Sequence, residues 1–187
     1  MNMKVKEISH VLETFAPLSI QESWDNSGLI IGSPEQDVHG VLLGFDCTSE
    51  LVDEAVECGA DMIVTHHPLI FGGLKKISPD DPTGLAVMKA VSAGIAVYAA
   101  HTTADKVLSG VSGAMAERLG LENIGILDED PNGYGLGAIG DLPEAMGGEK
   151  FIEYVKSCFN LKVARCSRIP DVQISKVAMC GGSGASL

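Results

Sequence analysis

The sequence predicts an α/β protein of two units, with largely parallel or mixed sheets flanked by helices. Short apolar runs of strand length alternate with stretches of helical periodicity along residues 5–119, the pattern of strands connected by covering helices. Two of those runs end abruptly in polar, histidine-bearing segments. A polar, turn-forming stretch, Asp128-Glu129-Asp130-Pro131-Asn132-Gly133, then interrupts the alternation. It is read as the limit between a first domain, residues 1–127, and a second, residues 128–187.

Val5, Ile8, Val11, Leu12 and Phe15 fall at helical spacing, so the first element is an amphipathic helix that stops before Pro17. Val41-Leu42-Leu43-Gly44-Phe45 reads as a buried strand. Leu51, Val52, Ala55 and Val56 form the apolar face of the next helix, which closes near Gly59. Met62 to Thr65 is a second strand, and Leu85, Met88 and Val91 mark a helix finishing at Gly94. A strand from Ile95 to Ala100 follows, then a helix carrying Val107, Leu108, Val111 and Met115. Gly110 and Gly113 weaken that helix by about 1 kcal/mol each relative to alanine. The second unit holds a strand around Leu136–Ile139, a helix with Phe151, Ile152, Val155 and Phe159 on one face, and strands near Val163–Arg165 and Lys176–Met179. Gly181-Gly182-Ser183-Gly184 reads as a tight turn from strand towards helix.

With 187 residues, 45% apolar and 20% charged, the chain has a globular composition. Thirteen basic against 25 acidic residues leave a net charge of −12, which opposes attraction to nucleic-acid backbones and anionic membranes. Neither is expected as a partner. Two bound divalent cations would invert the potential inside a pocket, so a small anionic substrate stays compatible. Five cysteines without a CxxC pair point to reduced thiols, and the N-terminus lacks a signal-peptide run. A cytoplasmic location is expected.

The chemistry centres on His66-His67. They lie where the run Met62–Thr65 ends and Pro68 forbids its continuation. Adjacent side chains on a regular strand point to opposite faces, so this pair cooperates only if the backbone turns or if each serves a different ion. The run Ile95–Ala100 ends likewise in His101-Thr102-Thr103-Ala104-Asp105. In open α/β sheets that edge is where ligands bind. Asp105 is read as a metal-binding carboxylate or a helix N-cap. His101 is read as a further ligand, a group supporting the ligands or a proton carrier, and is the catalytic candidate. Imidazole suits zinc, iron or manganese without distinguishing them, and two ions about 3.5 to 4 Å apart would make a hydrolase arrangement. His10 and His39 are read as surface or capping residues. Asp46, Glu50 and Asp61 are read as acids serving helix dipoles or solubility, with groups supporting the metal ligands as the other reading. The only tryptophan, in Trp24-Asp25-Asn26-Ser27-Gly28, is read as anchoring a turn by a buried indole, with a pocket wall as the other reading.

Trp24-Asp25-Asn26 with Gly28-Leu29 and Gly32, Thr65-His66-His67-Pro68-Leu69-Ile70-Phe71, Ala100-His101-Thr102 with Asp105, and Gly181 to Gly184 occur in an order that resembles the Nif-three-like proteins. This is a family of dinuclear-metal, ring-hexamer proteins often described as type 2 GTP cyclohydrolase I. The resemblance implies a two-domain α/β fold, a homo-hexamer, two divalent ions and a metal-dependent hydrolase acting on a nucleotide or related small substrate. By matching position, it implies that His66 and His67 bind different ions, that Asp105 is a metal-bound carboxylate and that His101 is a nearby active-site residue. Thr103-Ala104 stands where relatives commonly carry Asn-Leu. The family pattern also continues beyond the glycine turn to a segment supplying another histidine and a glutamate. From this follows the expectation of an incomplete second unit, weaker metal binding and, as the alternative function, a non-catalytic metal-binding oligomeric interaction protein or an inactive truncated family member.

Overall fold

The structure is a computed structural model that describes residues 3–169, 171–182, 184 and 187. Contacts group the chain into two compact units, Met1–Ala104 and Asp105–Leu187. The first unit runs β1 (Met3–Lys4), α1 (Val5–Phe15), β2 (Gly28–Ile31), β3 (Asp37–Val38), β4 (Val41–Gly44), α2 (Ser49–Cys58), β5 (Met62–Thr65), α3 (Pro82–Ala93) and β6 (Ala96–Ala99). The one-turn helix α4 (Thr102–Asp105) ends on the first residue of the second unit. α5 (Val111–Arg118), β7 (Glu122–Glu129), β8 (Gly135–Gly147), α6 (Gly148–Cys158) and β9 (Gln173–Met179) follow.

The main sheet of the first unit has the order β2-β6-β5-β4, with β4, β5 and β6 parallel and β2 antiparallel at one edge. All residues of β5 and β6 are buried, because helices cover both faces of these central strands. Ile63 and Val97 pack with Val52 and Ala55 of α2 and Ala90 of α3. Met62, Val64, Ala96 and Tyr98 face the other way, against Val5, Ile8 and Leu12 of α1. Thr48 caps α2 by accepting from Leu51 N–H, and Asp81 caps α3 by accepting from Gly84 N–H. Gly59 and Gly94 end the same two helices in the left-handed region, at φ 72° and 67°.

Two sequence readings change here. The run from Val41 is an edge strand rather than a buried one, with Leu43 74% exposed. α3 buries Gly84, Ala86, Val87 and Ala90, while Met88 and Val91 face outwards. Small residues allow the helix to approach closely, so its packed face is not the one with the bulkiest side chains.

The second unit is a three-stranded antiparallel sheet, β7-β8-β9, packed with α5 and α6. Its core joins Ala116, Leu119 and Leu121 to Ala138, Leu142 and Val177, with Phe151, Tyr154 and Phe159 against them. The turn-rich stretch at 128–133 covers the last two residues of β7 and the start of the β7–β8 connection, where Asp130 Oδ1 accepts from the N–H groups of Asn132 and Tyr134. The sequence reading places the domain limit after residue 127, whereas contacts place residues 105–127 with the second unit. Residues 163–165 form no strand, and Val163 is 79% exposed. The turn read at Gly181–Gly184 includes Ser183, which lies outside the described residues. No helix among the described residues is long and apolar enough to cross a membrane.

The helix expected from Val107 begins only at Val111. Gly113 explains how the preceding turn packs on it: a Cβ there would fall on the carbonyl of Leu108. Gly113→Ala is therefore expected to cost about 1–3 kcal/mol through overpacking, despite alanine's better helix propensity. Urea unfolding of the two proteins measures it; equal midpoints would refute the packing argument.

Candidate metal centre

Strand register assembles the site. Gly44 pairs with Thr65, and Thr65 pairs with Ala99, so the parallel strands end together. Phe45-Asp46, His66-His67 and Ala100-His101 thus emerge side by side at their C-terminal edge. β2 runs the opposite way with Gly28 opposite Ala99, so the residues preceding it, Asp25-Asn26-Ser27, reach the same edge. Local bonds then turn the chain. Thr65, 2% exposed, donates its hydroxyl to the His67 carbonyl at 2.8 Å, and His67 N–H donates to the Phe45 carbonyl at 3.1 Å.

The three imidazoles converge. The ligand atoms of His66, His67 and His101 all lie within 4.8 Å of one another. Nitrogens on one tetrahedral zinc, bonded at about 2.0–2.1 Å, stand about 3.4 Å apart, so modest side-chain adjustment closes the set on a cation. His66 Nδ1 lies 3.1 Å from the Ala100 carbonyl, which only accepts, so that nitrogen carries the proton. His67 Nδ1 donates to Asp46 Oδ1 at 2.7 Å, and His101 Nδ1 donates to Asp25 Oδ1 at 2.8 Å. With every Nδ1 engaged by the protein, Nε2 is the ring nitrogen through which each histidine would ligate. A histidine held this way by a carboxylate or carbonyl is the usual support of a metal ligand, and the donor set fits a first-row divalent ion.

Asp25 is the most buried member of the arrangement, its side chain 0% exposed. Burial alone would raise its pKa, but hydrogen bonds from Thr102, His101, the Asn26 N–H and Ser27 outweigh it and lower the value from 3.8 to about 2. Oδ1 accepts from Asn26 N–H and His101 Nδ1; Oδ2 accepts from Ser27 Oγ, Thr102 N–H and Thr102 Oγ1. The carboxylate therefore both orients His101 and satisfies the first turn of α4.

Among the residues singled out in the sequence, His66, His67 and His101 are brought together. Asp105 closes α4 and opens the second unit, and its role is a matter of proposal. His39 is 61% exposed and pairs with Asp61 at 3.0 Å. His10 is exposed. The five cysteines are free, and burial pushes the Cys47 thiol up to about 11. Asp46, read first as a helix-dipole acid and otherwise as a group supporting the ligands, is the partner of His67. Trp24, read as a buried anchor, is 57% exposed beside Phe71 and His101. The signal for Asp46 was available, since it follows β4 just as His67 follows β5. Asp25 precedes its strand, and only the antiparallel pairing of β2 brings it to this edge.

Residues 3–187 match the family described as Duf34/NIF3 (NGG1p interacting factor 3). The chain belongs to this family. It is 35% identical over 187 residues to a Clostridium acetobutylicum protein named GTP cyclohydrolase 1 type 2 homolog, covering 98% of this chain and 70% of that one. It superposes on a Staphylococcus aureus hypothetical protein with a TM-score of 0.93 at 30% identity, over 100% of this chain and 74% of that one. A Bacillus cereus protein related to NIF3 matches with a TM-score of 0.89 at 26% identity, over 98% and 77% of the two chains. This Duf34/NIF3 protein therefore combines the mixed α/β architecture of those solved structures with a three-histidine candidate metal site.

Proposed function

We propose that this Duf34/NIF3 protein is a metal-dependent hydrolase acting on a nucleotide or a related small molecule. The observation that carries the reading is the convergence of three imidazoles whose Nδ1 atoms are all tied back to the protein. An ion held there supplies Lewis acidity and lowers the pKa of water, the general basis of metal-assisted hydrolysis. In this reading His66 and His67 bind two different ions, Asp105 contributes its carboxylate, and His101, oriented by Asp25, presents Nε2 beside them. Zinc, iron and manganese all suit such donors. The second ion and the homo-hexamer rest on the family resemblance, the cytoplasmic location on the unpaired cysteines and the N-terminal sequence, and the nucleotide on the name borne by relatives.

A non-catalytic metal-binding interaction protein is the second reading, favoured by the apolar side chains left uncovered on β4 and just beyond it, Leu43 at 74% and Phe45, beside His66, at 65% exposure. Turnover separates the two. Protein stripped by chelator and reloaded with zinc, manganese or ferrous iron is expected to convert at least one member of a nucleotide panel, and His66→Ala to abolish that conversion. Full metal loading without turnover of any nucleotide would favour the interaction protein instead.

A further inference from the structure

Trp24 is the only tryptophan of the chain, and its indole borders the metal centre with 57% of the residue exposed. Phe71, 54% exposed, stands beside it with ring centroids 5.8 Å apart and planes inclined at 47°. Each ring meets His101 edge-on at 5.9 Å. Asn26 Nδ2 donates to the Ile70 carbonyl at 2.7 Å, which ties the turn carrying Trp24 to the loop carrying Phe71. The two rings are thus placed as a pair by the backbone. At that inclination neither covers the other's face. Two large aromatic side chains left more than half exposed hold apolar surface whose burial a ligand recovers.

Phe45 serves differently. It lies nearly parallel to His66, at 18° and 5.4 Å, and edge-on to His67 at 4.6 Å, so it props those two imidazoles. Phe45 is itself 65% exposed but stands as a single ring on the His66 and His67 side, whereas the paired aromatic surface is on the His101 side of the site. The kind of ligand follows from what surrounds it. A chain of net charge −12 gives phosphate no general attraction away from the ions. Away from the ions the exposed rings offer apolar contact, and stacking suits any flat base because each presents a π-face.

We propose that Trp24 and Phe71 form a stacking platform for a flat nucleobase, which enters from the His101 side. This rests on the metal-dependent nucleotide reading and adds which residues hold the base and from which direction. A protein partner or a second copy covering the same rings is the competing occupant.

Trp24 reports on its own site. Metal-loaded protein is titrated with guanosine, GTP and ribose 5-phosphate while tryptophan emission is followed. Guanosine and GTP are expected to change the emission saturably, and ribose 5-phosphate to leave it unchanged. Phe71→Ala, with metal content unaltered, is expected to weaken guanosine binding about tenfold, as is Trp24→Leu followed by calorimetry. Unchanged guanosine affinity in both variants overturns the platform, as does absence of any purine response in fully metal-loaded protein. Dissociation of an oligomer by Trp24→Leu or Phe71→Ala in sedimentation, without a change in guanosine affinity, would assign the rings to a subunit contact instead. Saturable guanosine binding without turnover of any nucleotide would leave the platform standing and refute the hydrolase, so the two failures are distinguishable.

Discussion

Asp25→Ala is expected to destabilise the protein by about 3–5 kcal/mol, the range for removing one partner of a buried charged network. The substitution leaves His101 Nδ1–H, the Thr102 N–H and hydroxyl, the Ser27 hydroxyl and the Asn26 N–H without their common acceptor. Asparagine is no substitute, although it has the same shape. One backbone N–H points at each carboxylate oxygen, Asn26 at Oδ1 and Thr102 at Oδ2. Whichever way an amide is turned, its NH2 opposes a backbone donor. When it is turned towards His101, that ring loses the acceptor holding its proton on Nδ1, and Nε2 is no longer reserved for a ligand. Asp25→Asn is therefore expected to bind zinc about 10- to 100-fold more weakly, the usual cost of removing a group that supports a metal ligand. Calorimetric zinc titration measures this, and a wild-type affinity in Asp25→Asn would show that the carboxylate is dispensable.

The same residue sets an acid limit. Its folded pKa, about 2, lies below the reference value of 3.8, so the folded state binds the proton less readily than the unfolded chain. The stabilisation, about 2 kcal/mol, is complete well above pH 4 and is lost as pH falls towards 2. Urea midpoints between pH 6 and pH 2 should fall more steeply for the wild type than for Asp25→Asn. Parallel curves would remove Asp25 from the acid response.

His66→Ala is expected to have the opposite profile, with a small effect on the metal-free fold and a large one on metal binding. The imidazole is held by the Ala100 carbonyl at 3.1 Å, and losing an ordinary hydrogen bond of this kind costs about 0.5–1.5 kcal/mol. As a ligand it is one of three converging nitrogens. Structural zinc sites gather about 10–16 kcal/mol from four ligands, which makes the share of one worth a hundredfold or more in affinity. Wild-type protein at a zinc concentration 100 times its Kd should gain about 2.7 kcal/mol of stability, and His66→Ala should gain almost none at that same concentration. Thermal melts with and without zinc compare them. An equal zinc-induced shift in both proteins would exclude His66 as a ligand.

Much of the first unit was legible because its central strands obey local rules. Met62–Thr65 and Ala96–Ala99 are largely apolar runs with a histidine one or two residues beyond each, and burial on both faces gives that pattern. β2 was not legible, since its four residues follow a polar turn and it joins the sheet antiparallel through a pairing between distant segments. Asp25 was therefore on the page as a turn residue and not as the support of His101. β7 carries mostly exposed or half-buried side chains, with Glu122, Asn123, Asp128 and Glu129 among its eight residues, and so presents little apolar alternation to read. The packed face of α3 escaped for a related reason: Gly84, Ala86 and Ala90 are buried by closeness of approach rather than by size.

The account depends on three imidazoles presenting Nε2 to a common cationic centre. Anomalous diffraction from crystals soaked in a stoichiometric zinc solution is the most direct measurement. The expected result is a zinc peak within about 2.0–2.2 Å of Nε2 of His66 or His67, with Nε2 of His101 turned towards the same centre. Zinc bonded through Nδ1, or bound elsewhere with these three rings pointing apart, would contradict it.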